Sequence, residues 1–180
     1  MENIYKTQAQ FENDRFLLRY VAEEDVDDLL EVYSDKNALP FFNSDNCHGD
    51  NFYYPTREHM AKALDFWRFS YEQGYFVRWS IVDKRRGKGI GTVELFTRRE
   101  SDGLNGGLLR LDLRSDCENR ETIESILALL LPRVPEYFGD TVITKAPIYA
   151  VERIAALRKL GFVPSKRLLV GHDGYWVKKS

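Results

Sequence analysis

The sequence predicts a single α/β domain, and three observations carry that prediction. Stretches with strand alternation and stretches with helical periodicity follow one another along the chain, separated by turn residues. No internal repeat, low-complexity tract or linker interrupts them. The 180 residues include 43% hydrophobic and 13% aromatic types, enough to close one core.

Residues 1–14 are polar and read as a loosely held lead-in, which leaves 15–180 as the domain. Residues 15–21 then alternate as a half-buried strand. Val26, Leu29, Leu30 and Tyr33 recur at helical spacing behind the acids Glu23, Glu24 and Asp25, which predicts a helix over 22–34. Residues 37–55 have no period and mix Pro, Asn, Asp and Gly with Phe41, Phe42, Phe52, Tyr53 and Tyr54. This is a loop with much apolar surface, and its rings either line a site or plug one end of the core. A second helix over 56–73 puts Met60, Leu64, Trp67 and Tyr71 on one face and has Gly74 to end it.

Residues 76–82 and 90–97 read as strands around a polar turn at 83–89, the second strand being broken at Ser101-Asp102-Gly103. Residues 108–114 form another strand, with leucines 109, 111 and 113 on one face and Arg110, Asp112 and Arg114 on the other. Behind Ser115 and Asp116 comes a helix carrying Ile123, Ile126, Leu127, Leu130 and Leu131, which Pro132 and Pro135 should kink or end. A short strand at 141–144, a helix at 151–160 capped by Gly161, and strands at 162–170 and 175–178 complete the order.

Composition narrows the function classes. Lys and Arg number 26 against 28 Asp and Glu, for a formal net charge of −2, and the basic residues are spread out, which argues against nucleic acid. There is no apolar run of 18 residues and no leader pattern, so the expectation is a cytoplasmic protein that meets no membrane. Two cysteines make no disulfide scaffold, and no His-x-His or Cys-x-x-Cys spacing supports a metal site. Cys117, just ahead of a predicted helix, is either a thiol activated by the helix dipole or a small packing residue. His48, His59 and His172 are isolated and suit loop or surface positions.

Residues 86–91 read Arg-Gly-Lys-Gly-Ile-Gly. An Arg-x-x-Gly-x-Gly string can grip a pyrophosphate, because glycine lets backbone amides approach and a following helix adds its positive end. Here Thr92-Val93-Glu94-Leu95-Phe96-Thr97 follows, rich in β-branched and aromatic residues, so the string is read as a hairpin turn.

The order of elements from residue 15 onward resembles that of the GNAT superfamily of N-acetyltransferases. Local text agrees: Phe66-Trp67, Gly74-Tyr75-Phe76, Trp79-Ser80-Ile81-Val82, Gly89-Ile90-Gly91-Thr92-Val93-Glu94-Leu95 and Ala155-Ala156-Leu157-Arg158-Lys159-Leu160-Gly161-Phe162 resemble the branch that acetylates ribosomal-protein N-termini and related small amines. The resemblance implies a central mixed, mostly antiparallel sheet of about six to seven strands flanked by about four helices. It also implies a strand pair near 108–114 and 141–146 that splays apart. The implied activity is direct transfer of acetyl from acetyl-CoA to a primary amine, a protein N-terminus or a small amine, with no metal. The implied partner is thus a small-molecule or peptide amine, with a homodimer left open.

By the same resemblance the cofactor loop falls at 115–122, with the carbonyl held along Leu111 and Leu113 and the phosphates near Arg114, Asn119, Arg120 and Thr122. Base candidates are Glu94 and Asp112. The family's frequent tyrosine in the last helix is here Leu157, and the asparagine before that helix is Ala150, which makes nearby Tyr149 the replacement acid. The acceptor would enter past Phe41, Phe42, Tyr53 and Tyr54. The loop, however, has no glycine and carries Asp116, Glu118 and Glu121. Like charges about 4 Å apart repel by roughly 1 kcal/mol in water and about 4 kcal/mol in a semi-buried site. The alternative reading is therefore a non-catalytic GNAT-fold binding module that has lost normal acetyl-CoA binding.

Overall fold

The computed structural model describes residues 3–101 and 103–179. The first two residues of the expected lead-in, Asp102 of the expected strand break, and Ser180 lie outside the described residues. Strands are β1 (Phe11–Glu12), β2 (Phe16–Tyr20), β3 (Val77–Asp83), β4 (Lys88–Arg98), β5 (Gly106–Leu113), β6 (Thr141–Lys145), β7 (Val163–Pro164) and β8 (Tyr175–Lys179). Helices are α1 (Val26–Tyr33), α2 (Arg57–Glu72), α3 (Arg120–Leu130), the five-residue α4 (Val134–Phe138) and α5 (Val151–Lys159). The strands form one sheet in the order β1-β2-β3-β4-β5-β6-β8-β7. Every neighbouring pair is antiparallel except β5 with β6.

Strand alternation divides the sheet into two unlike faces. Trp79, Ile81, Val93, Leu95, Leu109, Leu111 and Leu113 pack with Ile123, Ile126, Leu127 and Leu130 of α3 and Ala156 and Leu157 of α5. On the other face the same strands present Arg78, Ser80, Thr92, Glu94 and Asp112, all buried. Above them sit Leu29, Val32 and Tyr33 of α1 and Met60, Leu64 and Trp67 of α2, joined by Phe42, Phe52 and Tyr54 from the loop. Thr56 caps α2 by accepting the His59 amide at 3.2 Å, and Gly74, at φ +72°, ends it. No helix among the described residues is long and apolar enough to cross a membrane.

The sheet has eight strands among the described residues where six or seven are expected, the extra one being the two-residue edge strand β1, which carries too little pattern to be read. β1 also corrects the loose lead-in. Ile4 is buried, its carbonyl accepts the Tyr71 hydroxyl at 2.9 Å, and Ala9 accepts the Trp79 indole at 2.7 Å. Phe11 and Glu12 then pair with Leu18 and Leu17. The strand expected over 162–170 shrinks to β7 and one bridge between Leu169 and His172. Pro164 has no amide to extend a ladder.

The 86–91 string is a hairpin turn running into β4, and each of its glycines has a structural cause. Gly87 takes φ +61° in the turn. Gly89 donates its amide to the Asp28 carboxylate of α1 at 2.7 Å. Ile81 pairs with Gly91 and Val82 with Gly89, so Ile90 is the extra residue of a β-bulge, fully buried. At Gly91 a Cβ would lie 2.1 Å from the Asp112 carbonyl oxygen on β5.

The β5–β6 ladder covers only Gly107, Leu108 and Leu109 against Val142, Ile143 and Thr144. Past Leu109 the two strands part. Arg114 donates its amide to Ile90 on β4, so by alternation the main-chain groups of Leu111 and Leu113 face away from β4, where β6 no longer pairs.

Two glycine substitutions separate these causes. Gly91→Ala should lower unfolding free energy by about 3 kcal/mol, because backbone rather than a side-chain tip is in the way. Gly87→Ala should cost about 1 kcal/mol, the usual strain of a left-handed residue in open space. Urea denaturation ranks the two, and an equal or reversed ranking would overturn the close-approach account.

Candidate functional site

The polar face of the sheet converges on Arg78, whose side chain is 1% exposed. It pairs with Glu94 through one terminal nitrogen. Through the other it reaches Tyr33 Oη at 2.9 Å, Thr92 Oγ1 at 2.9 Å and Asp112 Oδ2 at 3.1 Å. Tyr33 donates to the same Asp112 oxygen at 2.7 Å. Arg110 Nη1 reaches the second Glu94 oxygen at 2.7 Å. The Arg78 guanidinium lies over the Trp67 ring, 4.1 Å from its centroid, within cation–π range.

Cross-strand register produces this cluster: Arg78 opposes Glu94, which opposes Arg110, while Ser80 opposes Thr92, which opposes Asp112. Burial alone would push the Glu94 carboxyl up, but Arg78 and Arg110 outweigh it and hold it below the usual carboxylate range. Burial also dominates at Asp112, where it raises the carboxyl against the pull of Arg78 and Tyr33. Asp112 Oδ1 has no hydrogen-bond partner.

A cavity of about 640 Å³ opens over this cluster. Phe52, Tyr53, Tyr54, Phe66, Trp67 and Phe76 supply its aromatic walls, and Arg78, Glu94 and Arg110 contribute its polar lining. His48, Asp50, His59 and Lys62 also line it.

The loop before α3 is built differently. Asp116 is held by Arg114 at 2.6 and 3.1 Å and by Arg86 at 2.9 Å, which keeps its carboxyl far below the usual range. Asn119 caps the helix by accepting the Thr122 amide at 3.0 Å. The Arg120 amide donates to Glu152 of α5 at 2.9 Å, and the Ser115 amide donates to Asp35 at 2.9 Å. Arg153 of α5 makes a buried two-point pair with Glu118, both bonds 2.7 Å, and also reaches the Phe41 carbonyl at 3.2 Å. Burial pushes the Cys117 thiol up to about 11, which leaves its packing role and removes the activated-thiol reading.

The structure joins some of the sequence candidates and separates others. Glu94 and Asp112 meet through Arg78, but only Glu94 lines the cavity. Tyr53 and Tyr54 line it as well, whereas Phe42 packs against Tyr33 in the core. Phe41 lies edge-on to Tyr149, whose hydroxyl donates to the Pro40 carbonyl at 2.6 Å. Leu111, Leu113, Arg114, Asn119, Arg120 and Thr122 form the splayed edge and the loop. Sequence reasoning missed Arg78, Arg110, Tyr33 and Trp67. The readable signal was a polar pair at the same alternation in three consecutive strands, 78 and 80, 92 and 94, 110 and 112. Among the described residues no group of three or more His, Cys, Asp or Glu could hold a metal ion.

Arg78→Met should destabilise the fold by about 3–5 kcal/mol, since it strands two buried carboxylates. The Glu94 pair adds stability above the ordinary glutamate value of 4.5 and loses it as pH falls through the lowered folded value. The stability gap between wild type and Glu94→Gln should therefore shrink below about pH 4.5. A pH series of urea melts with a constant gap would contradict this.

Neither a family model nor a curated protein sequence matches the chain. Solved structures do. A GNAT-family acetyltransferase from Bacillus anthracis superposes with a TM-score of 0.69 at 10% identity, over 95% of this chain and 98% of its own. The ribosomal-protein-S5-alanine acetyltransferase of Vibrio fischeri gives 0.65 at 17% identity, over 95% and 96%. A ribosomal L7/L12 alpha-N-protein acetyltransferase in complex with coenzyme A gives 0.68 at 12% identity, over 95% and 98%. The splayed β5–β6 pair, the helices on both faces and these superpositions together identify the architecture: nearly the whole chain has the fold of the GNAT acetyltransferases.

Proposed function

We propose that the chain is an N-acetyltransferase that moves an acetyl group directly from acetyl-CoA to a primary amine, either a small amine or a protein N-terminus. The carrying observation is the splay past Leu109, which leaves the main chain of Leu111 and Leu113 free to bind an extended thioester chain and polarise its carbonyl. When bound, the coenzyme supplies the activated acyl group, and everything else falls to the protein.

The two halves of the site suit the coenzyme unequally. The strand half fits. At the loop, the Glu152 carboxylate and the Asn119 carboxamide already accept the amides that a phosphate would need, and Asp116 holds the guanidinium groups of Arg114 and Arg86. Phosphate binding thus requires carboxylates to leave, which predicts a low affinity for the coenzyme.

The acceptor enters the aromatic cavity beside Glu94. Held ionised by two guanidinium groups that take both of its oxygens, Glu94 is a weak base. Asp112 has the greater proton affinity but lies sealed beneath Arg78. Tyr149 can act as an acid toward a departing thiolate only after releasing the Pro40 carbonyl.

The occupied loop favours a second reading, a binding module that keeps the cavity and does not use acetyl-CoA. Calorimetry decides between them. Wild type should bind acetyl-CoA weakly, and Glu152→Gln, which removes a like charge and weakens an amide acceptor, should tighten binding about fivefold, a Coulomb effect of about 1 kcal/mol. Absence of heat for both proteins at millimolar acetyl-CoA would overturn the transferase reading and leave the binding module.

A further inference from the structure

The walls of the aromatic cavity are unbalanced in what they offer. Both acids among the lining residues are engaged on both oxygens. Glu94 receives Arg78 on one and Arg110 on the other. Asp50 accepts the Phe52 amide at 2.8 Å and the Tyr54 hydroxyl at 2.7 Å. The cations are paired as well, Lys62 with Glu58 at 2.7 Å and both arginines through their terminal nitrogens, but not at every donor. Arg78, almost fully buried, leaves Nε without a hydrogen-bond partner, and so does Arg110, and both line the cavity. Lys62 stands in the same lining. A buried donor left unpaired destabilises the fold, so a ligand acceptor that meets these nitrogens, after a small shift of the two side chains to uncover them, gains what the fold alone forgoes. Around them stand six aromatic rings, which bury apolar surface and need no polar contact.

We propose that the cavity is a binding site for a small molecule that joins an apolar body to a carboxylate. The carboxylate lies toward Arg78 and Arg110, and the apolar body lies among Phe52, Phe66, Trp67 and Phe76. As a statement about binding this stands on the cavity alone. As a statement about the acceptor it rests on the transferase reading, and it makes that acceptor an apolar amine that also carries a carboxylate. The two arginines then do for the ligand what Glu94 alone would not, which is to select its charge.

Three probes of one size and shape test the assignment: phenylacetate, 2-phenylethylamine and 2-phenylethanol, titrated calorimetrically into the full chain. Phenylacetate should bind at least about tenfold more tightly than 2-phenylethylamine. Lys62→Glu, at an exposed position outside the buried cluster, should weaken phenylacetate and leave 2-phenylethanol unchanged. Arg110→Gln should weaken phenylacetate by about tenfold or more while 2-phenylethanol still binds, which also reports that the variant is folded. The assignment is overturned if the amine binds as tightly as the acid, or if phenylacetate shows no binding at millimolar concentration. Phenylacetate binding in a protein that shows no affinity for acetyl-CoA would sink the transferase reading and leave this site intact.

Discussion

Everything on one side of the sheet answers to a single constraint, the burial of the Arg78 guanidinium. A charge at 1% exposure must be matched by opposite charge and by hydrogen bonds, or the fold pays several kcal/mol. Glu94 and Asp112 provide the charge, while Tyr33 and Thr92 provide acceptors. The four come from three elements, so α1, β4 and β5 are fixed with respect to β3 by one side chain. Trp67 closes the face of the guanidinium and thereby seats α2. The aromatic loop then has a polar floor to cover, and the cavity is what remains between that floor and the rings.

The same cluster separates two properties that a catalytic carboxylate needs together. Glu94 has access to the cavity but is held ionised, and Asp112 has the raised proton affinity but no access. A pair of arginines that lowers one acid and a burial that raises the other follow from one geometry. Chemistry in this cavity therefore depends more on positioning and charge than on proton abstraction by either side chain.

Much of the fold was legible in the sequence, and the reason is visible in particular elements. Helix α2 has a capping threonine, an apolar face and a terminal glycine, all local signals, and its bounds lie within a residue of expectation. The turn at 84–87 was readable because β-branched residues follow it and no helix does. Strand β1, two residues long, had no periodicity to show, and the strand expected over 162–170 kept only the two residues of β7. The site was harder to read because it is made by register. Nothing in the local text of Val77-Arg78-Trp79 says that Arg78 will face Glu94 and Asp112, since that follows only once three strands are aligned. The loop at 115–122 was placed by the resemblance in element order, and what fills it, Asp35 and Glu152, arrives from 80 and 32 residues away in the chain.

The order of strands bears on how the chain comes off the ribosome. Strands β1 to β5 lie side by side in the order they are made, so each finds its neighbour as it emerges. The last strand does not go to an edge. β8 lies between β6 and β7 and pairs along all of β6, from Thr141 with Lys179 to Lys145 with Tyr175. One side of β6 therefore stays without its partner strand until residues 175–179 have been synthesised. For that interval the nascent protein exposes a sheet edge that carries Val142 and Ile143, and β8 then covers that edge.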